Sequence, residues 1–279
     1  MSDETMHWYG LHGPFTDPGP HGPAIEPLPR DIAALSIVVQ GLLLHGSWLR
    51  VYGLTTADIP SVSRETLPVA ERLAAALGIG PLGEPAPHCR RAVGTCRDFA
   101  VMLTALLRHK GTPARVRCGF ARYFRSSPCE DHWVCEYLHP LRRQWALADA
   151  QLDGAQCAEL SIGFDPCDLP REQFLTAGEA WQQVRTGASD AASFGHGSAR
   201  GEWFMRVNLA RDLLALAKQE VSDWDGWRSA SSESHPLDGA ALAWCDAAAD
   251  AAAEVDNDLG MVRAPAEPLR SGLRPFWLA

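Results

Sequence analysis

The sequence predicts an α+β fold, and three observations carry that prediction. Phe99, Met102, Leu103 and Leu106 form an apolar stripe with helical spacing. The runs 113–124, 131–138 and 144–153 then follow one another as half-alternating, strand-like segments. No strand–helix–strand rhythm accompanies them, which argues against a parallel α/β sheet.

Taken in order, residues 10–30 repeat Gly and Pro and read as an arm over 1–30. His12 and His21 lie in it without regularly spaced Cys or carboxylate neighbours, so they do not read as metal ligands. Apolar residues at 32, 35, 38, 39, 42 and 43 predict a buried helix running from Asp31 towards Gly53. A second helix is expected over 64–77, stopped by Gly78. A Gly- and Pro-rich loop leads to Cys96, where a helix begins that Gly111 ends. The short connection 139–143 makes the second and third strands an antiparallel hairpin. A loop and then a helix are expected after Pro170, with further helices over 203–221 and 241–255. The Gly- and Ser-rich segment 187–201 reads as a connection or a lid, with a soft boundary near 195. The expected domains are the arm 1–30, a catalytic domain 31–195 with its core at 88–153, and a C-terminal helical extension 196–279.

Composition narrows the function. A chain of 279 residues can bury a core without disulfides or a structural metal. With 25 Lys and Arg against 34 Asp and Glu, the net charge of -9 argues against a nucleic-acid partner. The opening MSDETMHWYGLHGPF lacks the basic start and apolar run of a signal peptide. Gln40, His45 and Gly46 interrupt the longest apolar stretches, so no membrane partner is expected. The eight cysteines form no CxxC pair and are expected as free thiols in the cytoplasm. His88, Cys89 and Cys96 are too irregularly spaced for zinc, and no phosphate-cradling glycine loop follows a strand. The expectation is therefore no metal and no cofactor.

One cysteine differs from the rest. Cys96 follows Gly94 and Thr95 at the first turn of its helix, where free N–H groups and the helix dipole stabilise a thiolate. Helix phase alone fits a buried core thiol equally well. A thiolate nucleophile needs an imidazole, and the imidazole needs a carboxylate. His132 opens one strand and Asp149 closes the next. If Leu138 faces Trp145, a constant register makes His132 and Asp149 diagonal neighbours on one face. A slip of one residue would separate them. Asp153 is a weaker candidate for the orienting carboxylate, and Asp131 points away from the His132 side.

The run GTCRDFAVMLTALLRHKGTPARVRCGF, followed by DHWVCEY and WALADAQLD, resembles the transglutaminase-like superfamily of cysteine enzymes. The matching blocks are Gly94–Thr95–Cys96–Arg97–Asp98–Phe99, then Gly111 to Arg115, then His132–Trp133–Val134 with Asp149. The resemblance covers about 88–153 and departs at Asp149–Ala150–Gln151, where Pro or Ala followed by Thr or a similar residue is usual. It implies a papain-like core with Cys96, His132 and Asp149 as the catalytic set and a small antiparallel sheet behind the helix. The side chain that helps hold the oxyanion has no motif match. Gln40 is favoured over His45, Trp48 and Tyr52, because its amide donates without titrating.

Phe120, Glu130, Trp133 and Gln151 are candidates to line a substrate cleft. Phe120 and Trp133 also read as packed aromatics, and Glu130 with Asp131 as a negative rim or as a solvated pair. Asp98 reads first as a helix cap or a partner of Arg97. The implied activity is acyl chemistry through a thioester on a small-molecule or peptide-like amide, with hydrolysis favoured. The alternatives are acyl transfer to an amine or a carrier-bound intermediate, and a non-catalytic binding protein that retains the fold.

Overall fold

The computed structural model describes residues 2–59, 68–125, 128–221 and 237–263. It confirms the α+β class and divides into two compact units, one of 7–116 with 134–169 and one of 1–6, 117–133 and 170–279. Strands β3 (Ala114–Ala121) and β4 (Cys129–Leu138) each contribute residues to both units.

Helices α1 (Asp3–Gly10) and α2 (Gly22–Ile25) come first in the chain. In the first unit, α3 (Ile32–Leu42) starts where Asp31 accepts the Ala34 N–H at 2.9 Å. It ends earlier than the apolar pattern suggests. Leu43 is extended, and β1 (Leu43–His45) pairs in parallel with β2 (Ala92–Gly94). His45 therefore lies on a strand, while Trp48 and Tyr52 belong to the turn after it, so the expected long helix is corrected. Two three-residue strands are too short to leave a periodic signal in the sequence. The helix α4 (Val69–Leu77) is present, and the first part of its expected span lies outside the described residues.

Helix α5 (Cys96–His109) packs on α3 and α4. Every residue from Cys96 to Arg108 is buried, polar ones included, so the apolar stripe understates its burial. Arg108 donates through Nε to the carbonyls of Tyr9 and Ala114 and through Nη1 to the hydroxyl of Thr16. Strand β5 (Trp145–Ala148) pairs antiparallel with β4 through Leu138↔Trp145 to Cys135↔Ala148, the register the short connection predicts. Glu136 on β4 holds Arg115 at 2.7 Å, and that guanidinium also lies 4.2 Å from the Trp145 ring centroid. Helix α6 (Gly154–Leu160) closes this unit.

In the second unit, β6 (Phe174–Thr176) pairs with the end of β3. Gly119 is required there, because a Cβ at this position would run into the Leu175 carbonyl. Helix α7 (Ala177–Arg185) starts at Ala177, not directly after Pro170. Thr176 and Glu179 form a capping box that lets β6 run straight into the helix. Strands β7 (Phe194–His196) and β8 (Ala199–Arg200) form a tight hairpin. The boundary expected near 195 falls inside it, and β7 runs parallel to β4 at Cys129 and Glu130. The linker-like Gly and Ser are thus turn and strand residues, and the sheet is mixed where a wholly antiparallel one was expected. Its strands bond in the order β6-β3-β4-β7-β8, with β5 also on β4.

Helices α8 (Glu202–Leu216) and α9 (Gly239–Glu254) pack with α7. Asp212 of α8 is buried and binds Arg117 at 2.8 Å and the Cys118 N–H at 2.9 Å. Breaking such a buried pair on one side costs roughly 3–5 kcal/mol.

Candidate active site

Cys96 is the first residue of α5 and is buried. The turn before it is built by charge and by close packing. Asp98 accepts the Thr95 backbone N–H at 2.8 Å, and the Asp98 N–H returns to the Thr95 carbonyl at 2.9 Å. The other oxygen of Asp98 meets Arg72 at 2.8 Å and Arg97 at 3.1 Å, all three side chains being buried. Arg72 also reaches the Val93 carbonyl at 3.3 Å. Asp98 is thus both the cap and the Arg97 partner that the sequence suggests. Its second and closer partner, Arg72, lies 26 residues upstream, beyond any local pattern.

Gly94 has a physical reason to be glycine. A Cβ there would sit 2.5 Å from Asp98 Oδ2. The preceding backbone is pinned as well, since His45 pairs with Gly94 and the Gly46 N–H binds the Gly94 carbonyl at 3.1 Å. The His45 ring stacks on Phe99 with centroids 6.5 Å apart.

Asp149 directly follows β5 in the same unit as Cys96 and is buried. Its backbone N–H binds the Pro166 carbonyl at 2.8 Å, and its Oδ1 accepts the Gln151 N–H at 3.0 Å. One further step along the β4–β5 register sets Val134 opposite Asp149. Asp153 is committed elsewhere. Its Oδ1 caps α6 through the Gln156 N–H at 2.9 Å, and its Oδ2 takes the Tyr52 hydroxyl at 2.8 Å. Gln40 donates through Nε2 to the Leu152 carbonyl at 3.3 Å, which ties α3 to the segment after Asp149.

His132 lies on β4 in the second unit and is buried. Tyr123 and Phe124 stand edge-on to its ring, with centroids at 5.9 and 4.9 Å. Its neighbour Asp131 faces another way and accepts Asn208 at 2.8 Å and Arg211 at 3.5 Å.

The cleft candidates fare differently. Phe120 is fully buried and packs edge-on against Phe194 at 5.1 Å, as the packed-aromatic reading has it. Trp133 is likewise buried. Glu130 is not an open acidic rim, since it binds His196 of the β7–β8 hairpin at 2.5 Å and is itself buried. Gln151 is buried and donates to Gln156 at 3.1 Å.

Four thiols are held protonated by burial. The Cys135 and Cys245 thiols are pushed up to about 12, and those of Cys157 and Cys167 are raised. All eight cysteines are unbonded to one another. Among the described residues no cluster of three or more His, Cys, Asp or Glu is arranged to hold a metal, and no helix is long and apolar enough to cross a membrane.

Helix α5, led by the buried Cys96, is followed in the chain by β3, β4 and β5. Residues 80–150 match the model of the Transglutaminase-like superfamily, so the chain carries a transglutaminase-like domain. A crystal structure called "Putative Cysteine Protease from Cytophaga hutchinsonii" aligns with a TM-score of 0.38 and 14% identity. The alignment covers 63% of this chain and 46% of that one, so the chain spans less than half of its length. No match is found among curated proteins.

Proposed function

We propose that the protein is a cysteine enzyme that processes an amide or related acyl substrate through a thioester on Cys96. The observation that carries this reading is the place of Cys96 at the head of α5, inside the segment that matches the Transglutaminase-like superfamily. Cys96 is read as the nucleophile, His132 as the base that takes the thiol proton and returns it to the leaving amine, and Asp149 as the group that orients the imidazole. The Cys96 backbone N–H supplies one oxyanion donor, and Gln40 is the candidate for the second. Water as the acceptor makes the enzyme an amidase or peptidase, and this is the favoured form. An amine acceptor would make it an acyltransferase with the same catalytic set.

The test is intact-mass trapping from a mixed pool of amides and thioesters. The expected result is a covalent adduct on the native chain that Cys96→Ala lacks. Its decay in water alone supports hydrolysis, and decay only on adding an amine supports transfer. Equal adduct formation by Cys96→Ala overturns the reading.

A further inference from the structure

A chain of side-chain hydrogen bonds inside the first unit runs from Tyr52 to Gln151, the residue whose backbone N–H meets Asp149, and its polarity is set at one end. Tyr52 ends the turn Leu49–Tyr52, half-buried, with its ring stacked on His88 at 4.6 Å between centroids. Its hydroxyl lies 2.8 Å from Asp153 Oδ2. A carboxylate only accepts, so the hydroxyl hydrogen goes to Asp153 and the hydroxyl oxygen is left to accept. It takes a hydrogen from Gln156 Nε2 at 2.9 Å. With Nε2 so used, Gln156 turns its Oε1 to Gln151 Nε2 at 3.1 Å. The Gln151 side chain is thereby anchored, and the backbone N–H of the same residue donates to Asp149 Oδ1 at 3.0 Å.

Gln151 and Gln156 are each 1% exposed, so neither amide can trade these partners for bulk water. Flipping either one would set like ends against each other along the whole chain. The network does not close on itself. It ends at Gln151 Oε1, a buried acceptor that takes no hydrogen bond among the described residues.

We propose that Tyr52 and Gln156 are positioning residues for Asp149, acting through Gln151. By anchoring the Gln151 side chain they keep that residue in place, so that its backbone N–H restrains one oxygen of Asp149 and sets the direction of the carboxylate. This rests on the reading of Asp149 as the group that orients the catalytic imidazole. Arg91 and His88 lie beside Tyr52 but do not enter the chain. Arg91 donates to the Ala86 carbonyl, and His88 contributes its ring face.

The experiment measures the rate at which iodoacetamide alkylates Cys96 in the full chain, between about pH 5 and 9, with site assignment by peptide mass. Asp149→Asn is expected to slow alkylation near neutral pH by weakening the base. Tyr52→Phe is expected to slow it about fivefold over the same range, the scale of one lost hydrogen bond. On top of Asp149→Asn it should add less than about twofold, because both act on one group. Gln156→Leu cuts the chain at its middle and is expected to match Tyr52→Phe, so the test stands if one variant fails to fold. A purely structural role would lower the melting temperature and leave the pH profile alone. An unchanged profile in Asp149→Asn overturns the triad reading and this proposal with it. A changed Asp149→Asn profile beside unchanged Tyr52→Phe and Gln156→Leu profiles overturns this proposal alone, as would effects that multiply fully with Asp149→Asn.

Discussion

The Asp98 carboxylate grips the Thr95 backbone N–H with one oxygen and the Arg72 guanidinium with the other, at 2.8 Å each. That places a buried charge pair directly behind Cys96. The carboxylate does two jobs that are usually separate, capping the helix and pairing with two buried arginines. Asp98→Ala leaves Arg72 and Arg97 buried without their carboxylate, and it is expected to cost roughly 3–5 kcal/mol in urea unfolding. Asp98→Asn keeps an oxygen for the Thr95 N–H and should retain more stability than Ala. A loss below about 1 kcal/mol for Asp98→Ala, the value of an exposed pair, would show that the pair is not sealed from solvent.

Gly94 is tied to the same carboxylate by space. A methyl group there would come within 2.5 Å of Asp98 Oδ2 and 3.0 Å of its Cβ. Neither atom can yield without releasing Arg72 or the Thr95 N–H. Gly94→Ala is expected to destabilise by about 1–3 kcal/mol, the usual cost of overpacking. It should also slow Cys96 alkylation, because the turn that presents the thiol has to shift. A variant with native stability and native alkylation would mean the turn relaxes freely.

These two residues mark what sequence reading could reach. The block from Gly94 to Phe99, the stripe through Leu106 and the register set by Leu138 and Trp145 are local patterns, and each reads directly as structure. Arg72 was not legible, because its role depends on a partner 26 residues away. Tyr52 and Gln156 were hidden for the same reason, although Asp153 with Gln156 three residues on is a recognisable helix start. The missed strands β1, β2, β6 and β8 are two or three residues long and stand on pairing partners, not on their own alternation. The β7–β8 hairpin reads as a linker because its glycines mark a turn in one context and flexibility in another. Gly197, with φ of 57°, occupies the left-handed turn position that glycine favours.

Thiol reactivity separates the cysteines by environment. Burial pushes Cys135 and Cys245 up to about 12, so both stay protonated near neutral pH. Cys157 and Cys167 are raised in the same direction. Brief treatment with iodoacetamide near neutral pH is therefore expected to label Cys96 ahead of these four, with exposed Cys89 as the competitor to remove by Cys89→Ser. Peptide mass mapping reads the order, and His132→Ala should slow the Cys96 signal. Uniform labelling of the folded chain would overturn the claim that Cys96 is activated. The same shift has a stability consequence. The raised Cys135 thiol contributes stability that is complete below about pH 9 and is lost as pH climbs towards 12, so Cys135→Ala should flatten the alkaline limb of a stability profile.

The acid limb belongs in part to His12. Burial, followed by the Arg108 guanidinium, lowers its imidazole from 6.5 to about 4. Arg108 cannot retreat, since it is buried and bound to the Tyr9 and Ala114 carbonyls and the Thr16 hydroxyl. In the unfolded chain His12 takes a proton near pH 6.5, whereas the folded chain refuses it until about pH 4. Between those values the unfolded state binds more protons, so stability falls as pH falls through the window. Above about 6.5 the two states agree and His12 has no pH-dependent effect. His12→Gln removes the titrating group while keeping a polar side chain. It is expected to leave stability at pH 7.5 within about 1 kcal/mol of native and to flatten the decline between about pH 6.5 and 4. Urea unfolding midpoints taken across that range measure the slope. An unchanged slope in His12→Gln would assign the acid limb to other groups and remove His12 from it.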